Sequence, residues 1–586
     1  MDNLPGIGFG TDGWRGIIGE DFTFSRVELL AQAISNYLNS QTPDPRPQTP
    51  DPRPQPSAIV GYDTRHLSKE FAETVARVLA SNGISVFLSN SFAPTPALSY
   101  AVVEKGAMGA VIITASHNPS NYNGLKFKSA SGSSASLEIT SAIEEELNRL
   151  QIPEPRSQNS DPRLQSSRIT HPASPITLFD PQPAYFKRLS ELVDLNRIAN
   201  SRIKVFLDPM YGATQGYLSS FLRGIGLRVE EIHARIDHSF GGINPEPLPR
   251  NLGELSSLLR PQTSDPRLQT SAISHQPRAV NRQPSTMSHQ PPAISHQPPT
   301  TNREPSTVNR EPPTLNYSPF TLHPLPIRVG FAFDGDGDRI GAMDERGNFV
   351  SPHQIFALLL KHLANNKGLK GTVIKNFAVT RMVDILAKRY GLPVCETPIG
   401  FKYVAELMEK GEVLIGGEES GGFGIQGHIP ERDGILCALL ILEMMAMEGK
   451  PLGRLIEDLE RDVGPHRFGR LDLKLYPGSS RDEIIGLLSS SLSIPSRGPV
   501  REEGLFPSEF SFQGSSTAPV LPDGFEIEGI KNLDGTKLLF RNGSWLLLRP
   551  SGTEPVLRIY AEAPSQGEVS RLLAWGKELV SPILLF

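Results

Sequence analysis

The chain has 586 residues, a net charge of −5, and two cysteines beside 52 glycines and 52 prolines. The balance of acidic and basic residues gives no electrostatic footprint for nucleic acid, and the cysteines lie outside any Cys-x-x-Cys motif, which argues against a disulfide scaffold or a cysteine-based zinc site. No apolar segment reaches the roughly 18 residues of a membrane span, and the N-terminus lacks a secretory signal, so we expect a cytoplasmic protein with no membrane partner.

Three proline-rich segments interrupt the chain, at residues 41–56, 151–178 and 261–325. Together they hold 25 of the 52 prolines and none of the glycines. Repeated proline blocks helix and sheet hydrogen bonds, and few large apolar residues remain to offset the entropy of ordering, so we predict disordered or polyproline-like insertions. Their Pro-x-x-Pro matches are compatible with docking of an unknown protein partner, whereas a neutral expansion of surface loops needs no function, because long insertions cost little free energy.

Between the insertions, short apolar segments alternate with helical patterns. In chain order, strands are predicted at 57–61, 85–88, 110–114, 204–207, 227–230, 327–333 and 372–374, and helices at 69–80, 216–222, 352–363 and 381–390. This alternation indicates α/β units. The C-terminal part differs, because strands near 546–548 and 557–560 are followed by a helix over 566–580, which predicts a separate α+β domain.

The first polar loop, Thr114-Ala-Ser116-His117-Asn118-Pro119, follows a predicted buried strand. Its Asn and Pro favour a turn that presents Ser116 to solvent. The loop lacks the Gly-x-Ser-x-Gly elbow of hydrolases, and the position of His117 next to the serine makes a hydrolase-like base improbable. Taken alone, the loop is also explained as a polar turn.

The second loop, Asp334-Gly-Asp336-Gly-Asp338-Arg339, also follows an apolar strand. Carboxylates at every second position, with glycine between them, can surround a hard cation such as Mg²⁺ or Ca²⁺. An EF-hand is excluded, because the sixth position is Arg339 where glycine is needed and because a strand leads into the loop. The pattern therefore predicts a metal site.

The third loop, Gly416–Gly422, places Glu418 and Ser420 among four glycines. A carboxylate and a hydroxyl in such a loop are suited to binding vicinal hydroxyls, although the pattern is weak by itself.

The fourth loop, Arg549-Pro-Ser551-Gly552-Thr553, combines a guanidinium, two hydroxyls and backbone N–H groups. This set suits a phosphate, but the loop is not a Walker loop, and a plain turn explains it equally well.

Together, the four loops fit phosphoryl transfer on a phosphorylated sugar, where the protein mainly positions groups and neutralises charge. With these residues in place, the chain resembles the α-D-phosphohexomutase superfamily, which includes phosphoglucomutase and phosphomannomutase. The matching segments cover nearly the whole chain outside the insertions: 9–16, 114–119, 124–126, 334–339, 417–421 and 549–555.

The resemblance implies four domains around a central cleft, three of mixed α/β type and a C-terminal α+β domain similar to the TATA-binding-protein fold. We accordingly divide the chain into five regions: domain 1 with the serine loop (1–150), a proline-rich linker (151–178), domain 2 with the metal loop (179–346), domain 3 with the sugar loop (347–460) and domain 4 with the phosphate loop (461–586).

The resemblance also implies that Ser116 carries a phosphoryl group in the active form. Asp334, Asp336 and Asp338 would then bind Mg²⁺ together with the phosphate on Ser116. Arg15 and Lys126 would assist charge and proton handling near that phosphate. His117 is a further catalytic candidate, and the identity of the general base stays open.

Substrate contacts follow from the same resemblance. The substrate's non-reacting phosphate would be held by Arg549, Ser551, Gly552 and Thr553. Contacts to the rest of the substrate are expected from seven residues: Arg339, Gly400, Lys402, Glu418, Ser420, His428 and Arg432. For His428, an ordinary exposed loop histidine is the alternative interpretation.

By the family mechanism, the phosphoserine gives its group to a hexose phosphate, the resulting 1,6-bisphosphate reorients, and its other phosphate returns to Ser116. The segments 397–403 and 428–434 resemble the glucose-type members, whereas bacterial phosphomannomutases and phosphoglucosamine mutases commonly have histidine where this chain has Gly422. The resemblance therefore favours a phosphoglucomutase that interconverts glucose 1-phosphate and glucose 6-phosphate, with glucose 1,6-bisphosphate as activator and mannose phosphates open as further substrates. The alternatives are a hexose 1,6-bisphosphate synthase on the same scaffold and a catalytically silent protein recruited through its proline-rich insertions.

Overall fold

Four β-sheets follow one another along the chain in the computed structural model, which describes residues 7–8, 13–41, 56–151, 174–260, 326–475, 521–551 and 556–584. Three sheets mix parallel and antiparallel strand pairs, and the fourth is wholly antiparallel. The predicted fold class, mixed α/β with a C-terminal α+β part, is therefore confirmed. Most of the predicted insertions (42–55, 152–173 and 261–325) lies outside the described residues, and the domain limits stay a prediction.

The first sheet has six strands in the order β1-β5-β4-β2-β3-β6. Its strands are β1 (Trp14–Ile17), β2 (Ser57–Tyr62), β3 (Ser85–Ser89), β4 (Ala110–Ile113), β5 (Tyr122–Lys128) and β6 (Ile176–Phe179). Its helices are α1 (Phe24–Ser40), α2 (Ser68–Ser81), α3 (Thr95–Lys105) and α4 (Leu137–Gln151). Strand β4 lies between β5 and β2 and is buried along its whole length. The loop after it therefore starts from the middle of the sheet.

Strand β6 corrects one expectation about the insertions. Ile176 lies in the tract 151–178, which its proline content predicts to be disordered, yet it pairs in parallel with Val86 of β3. The run Ile-Thr-Leu-Phe is apolar and partly β-branched, which suits a strand at the end of a sheet. Three of these four residues lie in the tract, and its average composition conceals them.

The second sheet has the order β11-β10-β9-β7-β8. Its strands are β7 (Ile203–Asp208), β8 (Arg228–Glu231), β9 (Ile327–Phe333), β10 (Ile340–Met343) and β11 (Phe349–Val350), and its helices are α5 (Gln182–Leu192), α6 (Leu195–Ala199), α7 (Tyr217–Gly224) and α8 (Gly253–Leu259). Strands β9 and β10 are antiparallel neighbours, so the residues between them form a tight loop at one end of the sheet.

The third sheet has the order β13-β12-β14-β15. Its strands are β12 (Thr372–Asn376), β13 (Val394–Thr397), β14 (Val413–Gly417) and β15 (Phe423–Ile425). Its helices are α9 (Pro352–Lys361), α10 (Met382–Tyr390), α11 (Phe401–Lys410), α12 (Gly434–Glu448) and α13 (Leu452–Val463). The predicted helix 352–363 begins at a capping box of Ser351 and Gln354, and from His362 it continues as a single π-helical turn.

The fourth sheet has the order β16-β20-β19-β18-β17 and packs against one long helix. Its strands are β16 (Arg467–Lys474), β17 (Ile527–Lys531), β18 (Thr536–Phe540), β19 (Trp545–Pro550) and β20 (Val556–Ala563), and its helix is α14 (Gln566–Leu584). It has its own apolar core, which includes Leu546, Ile559 and Trp575. None of the helices in the described ranges is long and apolar enough to cross a membrane.

Candidate active site

Ser116 lies in the loop after β4, at a backbone φ of 52°, the left-handed region that non-glycine residues rarely adopt. Its amide donates to Thr114 Oγ1 at 2.9 Å, and its hydroxyl donates to Asp334 Oδ2 at 2.7 Å. The expectation that the turn presents Ser116 to solvent is wrong for this structure, because the residue is only 1% exposed. The loop between β9 and β10 covers it, and no local pattern near Ser116 reveals that cover.

The covering loop carries Asp334, Asp336 and Asp338, all fully buried. One carboxylate oxygen from each lies within 4.8 Å of the others. Glycine is required at position 335, because a Cβ there would lie 2.3 Å from the carbonyl oxygen of Ser116. Burial and the two neighbouring carboxylates raise the pKa of Asp334 well above its usual value.

The donor set of this loop fits a divalent cation. Asp338 Oδ1 is buried and accepts no hydrogen bond from the described residues, with Arg339 Nε 3.9 Å away. Hard cations prefer such carboxylate oxygens, and a cation there would offset the repulsion that raises the pKa of Asp334. These three aspartates could therefore hold a metal ion next to Ser116.

Two cationic side chains and one backbone amide contact the carboxylates of this loop. Lys126 Nζ, buried on β5, lies 2.8 Å from Asp336 Oδ2 and 3.0 Å from Asp338 Oδ2. Arg432 Nη2 lies 2.7 Å from Asp338 Oδ2. The backbone amide of Arg339 donates to Asp334 Oδ1 at 3.0 Å. The fold thus brings together predicted residues from three distant parts of the chain, 116–126, 334–339 and 432.

Arg15 and His117 flank the serine. Arg15, on β1, donates to Asn118 Oδ1 at 2.8 Å. His117 Nδ1 lies 3.3 Å from Ser116 Oγ. Burial, and then the charges of Arg339 and Arg15, lower the pKa of His117 well below its usual value, so its imidazole is neutral at pH 7.

The sugar loop follows β14 and packs on the metal loop. Gly421 has a φ of 95°, and a Cβ there would lie 2.6 Å from the carbonyl oxygen of Ile340. Glu418 is buried, and burial raises its pKa to about 6, although Arg432 Nη1 lies 3.5 Å from its Oε2. Ser420 Oγ is buried and has no hydrogen-bond partner among the described residues. Both side chains therefore keep hydrogen-bonding capacity for a ligand.

Gly400 and Lys402 lie at the start of α11. Gly400 has a φ of 135°, and the half-buried Lys402 has its pKa lowered by burial. The amide of the preceding Ile399 donates to Asp534 Oδ2 at 2.9 Å, and Arg549 Nε lies 2.9 Å from the same oxygen. Asp534 therefore connects the Gly400 loop to the predicted phosphate loop.

The phosphate loop is described in part. Arg549, the residue before the last of β19, is buried, and the amide of Ser551 donates to the carbonyl of Val556 at 2.8 Å. Gly552 and Thr553 lie outside the described residues.

His428 does not join the other sugar-loop residues through any contact in the described part of the chain. Its fully buried side chain places Nε2 3.1 Å from Asp433 Oδ2, and its ring stacks on Tyr100. Tyr185 donates to the same carboxylate at 2.8 Å. The alternative interpretation, an exposed loop histidine, is wrong, because the side chain packs between elements that are distant in sequence.

The sequence analysis missed several residues of this site. Thr95, at the start of α3, donates to Asp336 Oδ2 at 2.6 Å. Arg65 donates to the carbonyl of Ser116 at 2.7 Å. Lys128, two residues after Lys126 on β5, pairs with the buried Glu431. Of these three, only Lys128 could have been predicted from the sequence, since residues i and i+2 of a strand share a face and Lys126 was already a candidate.

Four family models match the chain. Their descriptions are phosphoglucomutase/phosphomannomutase α/β/α domain I at residues 6–153, domain II at 183–269, domain III at 351–462, and the C-terminal domain at 518–574. The order of these matches follows the order of the four sheets. The fold and the matches together define a phosphohexomutase, a class of isomerases.

Individual relatives agree with this class over almost full length. A crystal structure from Thermus thermophilus, named for phosphomannomutase, is 31% identical, with a TM-score of 0.70 and coverage of 98% of this chain and 99% of that one. The phosphoglucomutase/phosphomannomutase of Thermococcus kodakarensis is 26% identical over 98% of this chain and 99% of its own. The phosphoglucosamine/phosphogalactosamine mutase of Sulfurisphaera tokodaii is 25% identical over 98% of both chains. The chain belongs to the α-D-phosphohexomutase superfamily.

Proposed function

We propose that the protein is a phosphoglucomutase that interconverts glucose 1-phosphate and glucose 6-phosphate through a phosphoryl group on Ser116. The observation that carries this proposal is the 2.7 Å contact between Ser116 Oγ and Asp334 Oδ2, inside a buried set that includes Asp336, Asp338 and Lys126. A serine phosphate at this point would lie between a metal loop and a buried ammonium, which is the environment that phosphoryl transfer requires.

Asp334, Asp336 and Asp338 would hold Mg²⁺, since their oxygens converge and Asp338 Oδ1 has spare accepting capacity. When bound, the ion supplies charge neutralisation for the oxygens of the transferring phosphoryl group. Lys126 adds a positive charge that can follow the phosphoryl oxygens as they move from Ser116 to the sugar. Thr95 restrains Asp336 so that its carboxylate does not rotate away from this charge.

Arg15 and His117 would act on the reacting groups beside Ser116. Arg15 is held by Asn118 within the serine loop, so its guanidinium can bind the phosphate. The neutral imidazole of His117 can accept a proton. Lys126, an ammonium beside Asp336 and Asp338, could accept one only after giving up its own. We propose both as candidates for the general base.

Glucose is the proposed sugar. Gly422 would place a Cβ 2.3 Å from Arg432 Cδ, so a histidine at this position does not fit while Arg432 pairs with Asp338. Glu418 and Ser420 would bind sugar hydroxyls with their spare oxygens, and Arg339, Gly400, Lys402 and Arg432 would line the rest of the substrate site. His428 contacts Asp433 through Nε2 and stacks on Tyr100, and its buried Nδ1, which has no hydrogen-bond partner among the described residues, is the atom that would be left for a ligand.

The non-reacting phosphate would be bound by Arg549, Ser551, Gly552 and Thr553. Asp534 holds Arg549 in place and contacts the loop that carries Gly400. A substrate phosphate bound here would thus be connected, through Arg549 and Asp534, to the loop that carries Gly400. Either phosphate of a 1,6-bisphosphate can use the same cradle, which a reorienting intermediate needs.

The test compares glucose, mannose and N-acetylglucosamine 1-phosphates side by side, with Mg²⁺ and a trace of the matching 1,6-bisphosphate. We expect the highest kcat/KM with glucose 1-phosphate, and a phosphate on Ser116 detectable by mass spectrometry. A higher kcat/KM with another sugar phosphate would overturn the assignment of glucose and would leave the proposed mutase activity intact. Accumulation of free bisphosphate would favour the synthase, and absence of turnover by protein phosphorylated on Ser116 would favour the catalytically silent protein.

A further inference from the structure

Arg65 lies beneath the serine loop, three residues after the end of β2, and its side chain is fully buried. Its guanidinium donates to four backbone carbonyls of one loop. Nη2 lies 2.7 Å from the oxygens of both Ser116 and Asn118, and Nη1 lies 2.8 Å from that of Pro119 and 3.0 Å from that of Tyr122. A single side chain therefore binds carbonyls along the whole loop, from Ser116 to the start of β5.

These contacts hold a backbone that would otherwise relax. A left-handed φ at a residue with a Cβ is sterically disfavoured and persists only where its surroundings enforce it. The planar guanidinium has five donors in a fixed geometry, which a lysine ammonium cannot reproduce. Arg65 is thus suited to fixing the direction of the Ser116 side chain.

The other side of Arg65 faces the second sheet. Its guanidinium lies 4.9 Å from the ring centre of Phe240, and Thr64 Oγ1 donates to the carbonyl of Tyr211 at 2.8 Å. The loop after Tyr211 packs directly on the metal loop, because the amide of Ala213 donates to the carbonyl of Gly335 at 2.8 Å. Thr64 and Arg65 therefore contact both the serine loop and the segment around Tyr211 that packs on the metal loop.

Asp63 keeps this arrangement neutral and in place. Its Oδ2 lies 3.3 Å from Arg65 Nε, and its Oδ1 accepts from the amide of Arg65 at 2.9 Å and from Ser68 Oγ at 2.7 Å. Arg65 is consequently fixed at both ends of its side chain, by Asp63 on one side and by the serine loop on the other.

We propose that Arg65 is a positioning residue for phosphoryl transfer, which sets the direction of Ser116 Oγ, and of the phosphate it carries, toward Asp334. Arg65 is fully buried and donates to backbone carbonyls of the loop, not to Ser116 Oγ, so it acts through the loop backbone. The inference rests on the proposed function, but its test separates the two.

The test uses the full-length protein with Arg65→Lys, which keeps the charge and loses the four-carbonyl geometry. We expect kcat for glucose 1-phosphate to fall by about 100-fold, because a displacement near 1 Å at the reacting centre costs that much, while KM stays within about threefold. The second readout is the ³¹P resonance of the phosphate on Ser116, which we expect to shift toward that of free phosphoserine.

Two further variants keep the result interpretable. Val75→Ala, in the buried face of α2 under the same sheet, should lower the melting temperature without changing kcat or the ³¹P resonance. Asp63→Asn should lower kcat, as Arg65→Lys does. If Arg65→Lys does not fold, the kcat and ³¹P resonance of Asp63→Asn test the positioning role instead.

The outcomes separate as follows. A wild-type protein that carries no phosphate on Ser116 would overturn the proposed function and this inference with it. A phosphorylated wild-type protein whose kcat and ³¹P resonance are unchanged by Arg65→Lys, or are changed equally by Val75→Ala, would overturn the positioning role and leave the proposed function intact.

Discussion

Two clusters of charged side chains in the described part of the chain each include fully buried ionisable groups, but their net charges have opposite signs. The acidic cluster consists of Asp334, Asp336 and Asp338 with Lys126 and Arg432. The lysine cluster consists of Lys375, Lys531 and Lys537 around Glu396, between the third and fourth sheets. In the acidic cluster, burial and neighbouring carboxylates raise the pKa of Asp334. In the lysine cluster, burial opposes ionisation of Glu396, but three ammonium groups overcome it and lower the pKa of Glu396 to about 2.

The lysine cluster satisfies its own charges. Lys531 Nζ lies 2.8 Å from Glu396 Oε2, and Lys375 Nζ lies 2.6 Å from Asp384 Oδ2. Lys537 Nζ donates to the carbonyl of Phe377 at 2.8 Å and lies 4.2 Å from the ring centre of Trp545. Burial is the main reason that the pKa of Lys537 falls to about 8. The cluster connects the third and fourth sheets, and its role in this structure is packing between them.

The comparison teaches that buried charge by itself does not mark a reactive site. Both clusters contain fully buried ionisable groups, but only the acidic one combines mutual repulsion with an oxygen that has no hydrogen-bond donor among the described residues. A spare acceptor in a repulsive cluster is suited to binding a cation. The following predictions are ordered by their expected effect on turnover and test this distinction.

The largest effect is expected for Ser116→Ala, which removes the oxygen that we propose to carry the phosphoryl group. We expect kcat to fall on the order of 10⁴-fold or more, as for loss of other covalent nucleophiles. Circular dichroism and melting temperature should stay close to those of the wild type, since the hydroxyl makes few contacts. Ser120→Ala, in the same turn, is the control and should keep its turnover. Near-normal turnover of Ser116→Ala would contradict the phosphoserine assignment.

Removal of divalent metal should lower turnover through the acidic cluster and should leave the lysine cluster unchanged. With a chelator we expect turnover to fall at least about 100-fold, because the ion supplies several kcal/mol of charge stabilisation. The melting temperature should also fall, and it should rise again with the logarithm of added Mg²⁺ concentration, since the ion binds only the folded state. Full activity in chelator, with metal content checked by mass spectrometry, would mean that the aspartates bind no catalytic ion.

Arg549→Lys should raise KM for glucose 1-phosphate by about tenfold, because lysine loses one of two charge-assisted hydrogen bonds to a phosphate. We expect kcat to change less. Arg541→Lys is a matched control in the turn between β18 and β19, since Arg541 is exposed and pairs with Glu526. An unchanged KM in Arg549→Lys would show that the loop after β19 is only a turn.

The smallest effect on turnover is expected for Glu396→Gln, which should instead lower the free energy of unfolding by about 2–3 kcal/mol at pH 7. The folded-state pKa of Glu396 is about 2, below the ordinary value of 4.5. Its contribution is therefore present above pH 4.5 and is lost as the pH falls toward 2.

Urea unfolding from pH 7 to pH 3 checks this sign. The stability difference between the wild type and Glu396→Gln should shrink as the pH falls. Glu406→Gln, which removes an exposed carboxylate from an (i, i+4) pair on α11, should change stability little at any pH. A difference that grows on acidification would contradict the interpretation of the lysine cluster.

Local patterns in the sequence predicted most of the elements that carry the site. The apolar run before Asp334 predicted β9, and the Asp-x-Asp-x-Asp spacing predicted the convergent oxygens, because both depend on neighbours a few residues apart. The strand at Ile176 was missed, since the composition of a long tract outweighed four residues. The burial of Ser116 and of the His428 ring was also missed, because each depends on an element far away in the chain.

The sequence by itself determined the four polar loops, their order after apolar strands, and the residue types that suit phosphate, metal and sugar. Only the tertiary structure decided which of them meet. Ser116 and Asp334 are 218 residues apart and share a hydrogen bond, and Arg65 supports a loop more than 50 residues away. The physical reason is that strand and turn preferences are local, whereas the pairing and burial of charges depend on which sheets pack together.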